Sequence, residues 1–438
     1  MPKHSRYSIS MAHHFPFLLL LFISCHSIDT PTPQQRVYDH VKTNAHLTFR
    51  PPSGSLRYAY LVPSGPYEQL WDWDSLFMGV ALFPFGSAPY LAGSMANFLD
   101  HTNLTTGQVQ GCLLPTGGTG TIFHAKPVVI QGAWLASQQP SVSLPFQQFQ
   151  PQMKAQLKYW SSPLRTDKTT GLPKWYNQLE SGQDNLVLST CASNRSKCWD
   201  PALHEMVLVS ADVATFLYRE YQAYALFNGE WAAQATETKQ QHFFLNEQNR
   251  ATTKAVAIKA AVNLYLWNEE RGYYIALNTS TAAINAGTTT ITARTDVGWF
   301  PLWAGMPNRT QAHILKTELM KPDMFSSFGV RSTSSNNARY NNIDEIKPYS
   351  NWQGPVWVNA NAVLSFGLLK YKYHTEAKEM AKRVVFTLAN DLIQDNTFHE
   401  GYDSETGKGL AARGFLSWDT LGATWPGNVD KGIDPFAL

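Results

Sequence analysis

The segment LHEMVLVSADVATFLYREYQAYALF, residues 203–227, decides the fold class. Its apolar residues Leu203, Met206, Val207, Val213, Phe216, Leu217, Tyr221 and Tyr224 recur at three- and four-residue steps, the period of an α-helix that buries one face. The same reasoning predicts helices over residues 153–160, over a long polar-to-apolar stretch ending at Trp267, and over residues 311–320, 356–373 and 376–393. Long helices alternating with loops of unequal length read as helical hairpins arranged in a ring. A short β-hairpin is expected around residues 272–278. Gly- and Pro-bearing loops hold nearly all the unusual residue clusters, and loops on a rigid scaffold are where chemistry usually sits.

The chain has 438 residues, 44% of them hydrophobic, which is enough to bury a large core. Its formal net charge is only +2, with 16% charged residues, so no broad field exists for a polyanion and nucleic acid is excluded as a partner. Fourteen Trp and nineteen Tyr point instead to carbohydrate, because flat amphipathic rings stack on the C–H faces of sugars; a large core uses aromatics as well. Lys3 and Arg6 precede an apolar run over residues 15–23 and then Ser24, Cys25, His26 and Ser27, the order of a signal peptide. That run is too short to span a bilayer comfortably, so no stable membrane anchor is expected. Residues 1–27 are therefore read as a leader, 28–438 as a single catalytic domain, and the location as secreted or within the secretory pathway. Cleavage would leave Cys112, Cys191 and Cys198, the last two spaced to close a small disulfide in an oxidising compartment. Sequons begin at Asn103, Asn194, Asn278 and Asn308.

Four clusters carry chemistry. In QLWDWDS, residues 69–75, an extended backbone would put Trp71 and Trp73 on one side and Asp72 and Asp74 on the other. Such a pair suits sugar binding; the competing reading is helix capping by either Asp over a buried Trp. In KWYNQLESGQDNL, residues 174–186, Glu180 and Asp184 lie among Trp175 and Tyr176 with few cations, which favours a carboxyl that keeps its proton near neutral pH. The alternative is that both only bond a turn. NWQGPVW, residues 351–357, sets a turn and helix start at Gly354 and Pro355, with Trp352, Gln353 and Trp357 available to line a pocket. In FHEGYDSETGKG, residues 398–409, Glu400 sits between His399 and Gly401, where glycine lets a water approach the carboxylate. There is no phosphate-cradling loop, no helical His-Glu-x-x-His pair, no serine elbow and no paired Cys ligands, and His101, His124, His204 and His399 are dispersed, so neither a metal nor an organic cofactor is expected.

Together with LYLWNEERGYY (264–274) and GWFPLWAGMP (298–307), these clusters in this order resemble glycoside hydrolase family 63, and within it the mannosylglycerate hydrolases of the trehalase-related clan. The resemblance runs from about Val37 to Leu438 and implies an all-α (α/α)6 barrel, a six-hairpin toroid. It also implies inverting hydrolysis of an α-glycosidic bond in a small glycoside, mannosylglycerate or glucosylglycerate, with Asp184 as general acid and Glu400 as general base. Trp73, Asp74, Gln131, Trp175, Tyr176, Glu180, Gln353, Gly354 and Trp357 match positions expected to shape the sugar pocket, and Tyr67, Gln69, Trp71, Trp352, His399 and Trp418 join them as substrate-binding candidates. Two departures stand out: Gly132 and Ala133 follow Gln131 where the family often has a Pro pair, and Gln353 stands where Arg or His is common. A glyceryl carboxylate would be read by a glycine turn at Ser64, Gly65, Pro66 and Tyr67, or by Arg331, Arg339, Tyr340 and Lys347 on a lid over residues 326–351. Rival readings are an α-glucosidase on a neutral oligosaccharide or N-glycan, a lyase or epimerase using Tyr402 as base, and a carbohydrate-binding protein without catalysis.

Overall fold

The computed structural model describes residues 31–438 apart from 119, 122, 177, 189–206, 347 and 348. Its long helices are α1 (Pro33–Asn44), α2 (Asp72–Ala81), α3 (Ala88–Asp100), α4 (Val129–Ser137), α5 (Gln150–Trp160), α6 (Ala211–Gln234), α7 (Thr238–Tyr265), α8 (Arg309–Leu319), α9 (Val358–Lys370), α10 (His374–Gln394) and α11 (Leu421–Lys431). Strands are two to five residues long and sit in the connections. The chain is mainly helical.

Burial sorts the helices into two kinds. All ten residues of α2 are buried, and α9 is buried without a break from Val358 to Leu369. On α7 the buried residues are Phe244, Glu247, Ala251, Ala255, Ile258 and Val262, one stripe at three- and four-residue steps. A helix apolar all round belongs inside, and the packing neighbours agree. α2 packs on α4, α4 on α6, α6 on the 3-10 segment Asp296–Leu302, that segment on α9, α9 on α11, and α11 back on α2. This inner cycle is closed. The striped helices lie outside it, α7 against α6, α8 against Asp296–Leu302, and α1 and α10 against α11, and so does α3, buried from Leu91 to Leu99 against α2 and α4.

The expected helix over residues 203–227 is corrected. Residues 203–206 lie outside the described residues, Leu208–Val209 is a strand paired antiparallel with Ala276–Asn278, and α6 begins only at Ala211. Ser210 is extended and Asp212 falls in the first turn, a start signal that the aliphatic run before it obscured. Nor does α6 bury a single face: Val213 to Tyr221 are buried without a gap, because α6 belongs to the inner cycle. The other expected helices form within a few residues of their predicted ends. α8 is fixed by a capping box in which the Asn308 side chain and Gln311 satisfy each other's backbone donors. The hairpin expected at 272–278 is two pairings, Trp267–Asn268 with Tyr273–Tyr274, and Ala276–Asn278 with Thr290–Ile291. Helices α1 to α4 and α11 were not foreseen. α2, α3 and α4 are rich in buried small or apolar residues on every side, which leaves no polar–apolar contrast to count.

Candidate active site

Leu70–Trp71 pairs with Cys112–Leu113, and the Asp72 backbone N–H donates to Gly111 O at 3.0 Å, which turns the chain directly into α2. The extended reading of residues 69–75 therefore fails: Trp73 and Asp74 leave from the first helical turn. Asp72 turns away from the opening, accepting from Trp73 N at 2.6 Å, Lys126 N at 2.7 Å and Lys126 Nζ at 3.2 Å. Trp71, Trp73 and Asp74 face a pocket of about 190 Å³. Tyr67, Glu180, Asp184, Trp352, Glu400 and Trp418 line the same pocket, so nine of the sequence candidates meet there and the two carboxyls singled out for catalysis share one cavity.

Ser350 joins those two carboxyls. Its backbone N–H donates to Asp184 Oδ2 at 3.2 Å, and its hydroxyl lies 3.4 Å from Glu400 Oε1. Glu400 also accepts from the Tyr67 hydroxyl at 3.0 Å. Burial pushes the Asp184 carboxyl up to about 7, against the pull of the Ser350 N–H and the Lys126 charge. Burial likewise raises Glu400 to about 8, opposed by the Tyr67 hydrogen bond and reinforced by the charges of Asp184 and Asp74. Asp74, bonded to the Ser417 hydroxyl at 2.7 Å, is raised to about 7 by the same cause. By these values alone Glu400 would hold its proton longer than Asp184, the reverse of the sequence assignment. Each carboxyl's charge opposes ionisation of the other, so one proton is shared out by the donors around them. Glu400 accepts from hydroxyls at both oxygens, a setting that suits a carboxylate; Asp184, also lining the pocket, accepts at Oδ2 from the Ser350 backbone N–H.

The wall is aromatic. Trp352 stacks on Trp357 with centroids 3.9 Å apart and planes within 4°. Trp418 meets Trp73 at 5.7 Å, and its Nε1–H donates to the Glu400 carbonyl at 3.1 Å. Gly182, at φ +81, lies between Glu180 and Asp184, where a Cβ would sit 2.6 Å from Trp73 Cζ2. Glu180 is held rather than free: Arg165 clamps both its oxygens and the Tyr176 backbone N–H donates to it at 2.6 Å.

The remaining candidates do not line this pocket. Trp175 is fully buried with Nε1–H on Asp212 at 3.0 Å. Gln131 is spent on Pro127 O and the Arg219 guanidinium, both at 2.9 Å. Gln353 ties Asn185 O to Asn341, Gly354 is where Asn341 O approaches the backbone, and Trp357 backs Trp352. His399 pairs with Asp391 at 3.0 Å, and Gln69 accepts weakly from Trp71. Tyr176 lines a neighbouring cavity of about 180 Å³ that shares Phe123, His124 and Glu180 with the first. Of the cations offered for a carboxylate, Arg331 is engaged by Glu405, Tyr340 and Pro322 O; Arg339 does not line the pocket; Lys347 lies outside the described residues. Lys126, not foreseen, is the pocket's cation among the described residues, its Nζ 4.8 Å from the Trp73 ring centroid. Tyr402 is fully buried away from the pocket, which removes it as a lyase base. Ligand-type atoms of Asp391, Asp395 and His399 lie within 4.8 Å of one another, but Asp391 and His399 are already hydrogen-bonded together. Cys112 is a buried free thiol; Cys191 and Cys198 lie outside the described residues.

Residues 67–418 match the mannosylglycerate hydrolase MGH1-like glycoside hydrolase domain, and both end residues of the match, Tyr67 and Trp418, line the pocket. The chain belongs to this glycoside hydrolase family. Cytosolic neutral trehalase of Saccharomyces cerevisiae is 23% identical over 410 residues, 80% of this chain and 52% of the yeast protein, so the chain spans about half the length of that relative. Mannosylglycerate hydrolase of Thermus thermophilus is 31% identical over 159 residues, 35% of this chain and 32% of that protein. Among solved structures, the family 63 mannosylglycerate hydrolase of Thermus thermophilus in complex with glucose superposes with a TM-score of 0.63 at 18% identity, covering 88% of this chain and 99% of that one. Neutral trehalase of Saccharomyces cerevisiae gives 0.62 at 16% identity, covering 93% and 83%. The fold is shared with both, and the chain is a glycoside hydrolase of the mannosylglycerate hydrolase and trehalase group.

Proposed function

We propose that this chain hydrolyses an α-glycosidic bond with inversion, Asp184 protonating the leaving oxygen and Glu400 taking a proton from the attacking water. The observation that carries this is the pair of buried carboxyls in one small pocket, joined by Ser350 and walled by Trp73, Trp352 and Trp418. Inverting sites keep their carboxyls about 6.5–9.5 Å apart so that a water fits beside the anomeric carbon, and a serine reaching one carboxyl by its backbone and the other by its hydroxyl is compatible with that span. The closed inner cycle of helices supports reading the fold as an (α/α)6 barrel with the site at one mouth. We also propose secretion, on the leader-like order of residues 1–27.

A pocket of about 190 Å³ favours a small glycoside, since clefts for drug-sized ligands run about 300–1,000 Å³. We take mannosylglycerate or glucosylglycerate as the substrate, with Lys126, paired with Asp72 at 3.2 Å, the cation that a glycerate carboxylate would have to share. A trehalase-like reading is favoured by the longer trehalase alignment and by the carboxyls of Asp74, Asp184 and Glu400, which suit sugar hydroxyls better than an anionic leaving group. The purified chain, incubated with mannosylglycerate, glucosylglycerate, trehalose and a glucose-capped oligosaccharide and followed by NMR, is expected to release the anomer opposite to that of the substrate. It should also turn over the charged glycerates with a higher kcat/KM than the matching glycosyl-glycerol. Equal rates on charged and neutral compounds would move the substrate to a neutral α-glucoside; a retained first product would overturn inversion.

A further inference from the structure

Glu400 lies on the strand His399–Tyr402, and the side chains at both ends of that strand enter one buried hydrogen-bonded chain. The Tyr402 hydroxyl is 3.0 Å from Asp419 Oδ2 and 3.2 Å from Asp391 Oδ2, and it accepts from the His399 backbone N–H at 3.2 Å. His399 Nδ1 lies 3.0 Å from both Asp391 oxygens. Asp391 and Asp419 are 2% and 0% exposed, and Asp419 Oδ1 is buried with no hydrogen-bond partner.

Counting protons fixes the state of this chain. A phenol has one hydrogen, and two carboxyls stand ready to accept it. Were both ionised, Asp419 would hold a buried charge with no ion-pair partner among the described residues and one bare oxygen, which is the costly arrangement. With the proton on Asp419 every donor finds an acceptor: Asp419 O–H donates to Tyr402, Tyr402 O–H donates to Asp391, and His399 Nδ1–H donates to Asp391. Tyr402 oxygen then has its second lone pair for the His399 backbone N–H.

We propose that Asp419, as the neutral acid, is a positioning residue for Glu400: through Tyr402, Asp391 and His399 it pins both ends of the strand that carries the base. The middle of the strand is held by the adjacent Trp418, whose indole donates to the Glu400 carbonyl. Neutrality also has an electrostatic consequence, since an ionised Asp419 would put a second negative charge behind the base. Burial drives the Asp419 carboxyl well above the usual carboxylate range, and the charges of Asp391 and Glu400 push it the same way. The positioning role rests on reading Glu400 as the base; the protonation of Asp419 does not.

Infrared difference spectroscopy of the full chain, wild type against Asp419→Asn, isolates this acid from other buried carboxyls. A un-ionised carboxyl band present from pH 5 to 9 and lost in the variant is expected; its absence overturns the proposal. In kinetics, Tyr402→Phe and Asp419→Leu are expected to lower kcat on the order of 10- to 100-fold with little change in KM, because the base is displaced rather than substrate binding lost. Asp419→Asn, which can still donate to Tyr402, is expected to recover most of the rate with an unshifted acid limb of the pH profile. Equal losses in Asp419→Asn and Asp419→Leu would overturn the neutral-acid role. Should Tyr402→Phe not fold, the two Asp419 variants and the band carry the test. Failure of the hydrolase reading is seen separately, as a wild-type chain that turns over no glycoside while the acid band still reports Asp419.

Discussion

Asp184 and Glu400 are raised by the same cause, and the residues that touch them give them different work. Asp184→Asn removes a proton donor at almost constant volume, so kcat on a substrate with a poor leaving group is expected to fall on the order of a hundredfold or more while ligand binding persists. A variant that keeps most of the rate would end the acid assignment. Glu400→Gln should be equally inactive, and azide should rescue no retained product, because the base of an inverting site never bonds to the sugar. Glu180 plays another part: its side chain and that of Arg165 are 1% and 2% exposed, and the pair anchors the loop that delivers Asp184. Arg165→Met leaves that buried carboxylate without its guanidinium, and urea unfolding is expected to show a loss of about 3–5 kcal/mol. A loss within the error of the titration would mean that the loop is held by something else.

At the scale of elements, the turn through Gly182 is tightly constrained. Its φ of +81 is open to glycine, and a Cβ there would press on the Trp73 ring and on Lys126 Cε at 2.9 Å. Gly182→Ala is expected to cost about 1–2 kcal/mol from the backbone alone and to lower kcat by displacing Asp184. Asn308→Ala, which breaks the capping box of α8, should cost about 1 kcal/mol and leave kcat unchanged, since α8 lies on the outer layer. Thermal melts with steady-state rates on both variants separate the two effects. The contrast explains what the sequence disclosed. Carboxyls among tryptophans are conspicuous as residue types, so Asp184, Glu400, Trp73 and Asp74 could be found without coordinates. Which side of the wall an aromatic faces depends on element boundaries: Trp175 and Trp357 have the composition of pocket residues, yet pack behind it. Lys126 and Ser350 stand in unremarkable stretches and reach the pocket only through Asp72, Asp184 and Glu400, contacts with no local signature. The outer helices α7, α8 and α10 were legible because one face meets water. Inner helices such as α2 and α4 hide that contrast.

For the molecule as a whole, the pocket concentrates carboxyls whose hold on a proton burial strengthens: Asp74 and Asp184 are raised to about 7 and Glu400 to about 8. Each binds its proton more tightly folded than unfolded. The stability they contribute is therefore fully present below the ordinary carboxylate pKa, about 4, and is lost as pH rises through 7 and 8, where the folded chain must ionise groups that burial disfavours. Burying several carboxyls in one pocket thus weakens the fold as pH rises. Glu400→Gln removes one of these ionisations while keeping the shape of the side chain. Calorimetry of both proteins from pH 5 to 9 is expected to show the variant gaining Tm relative to wild type as pH rises, with the gap widening from pH 5 upward and levelling off above about pH 8. A gap that does not change with pH would mean that Glu400 titrates as in the unfolded chain, and the buried, proton-holding pocket would have to be given up.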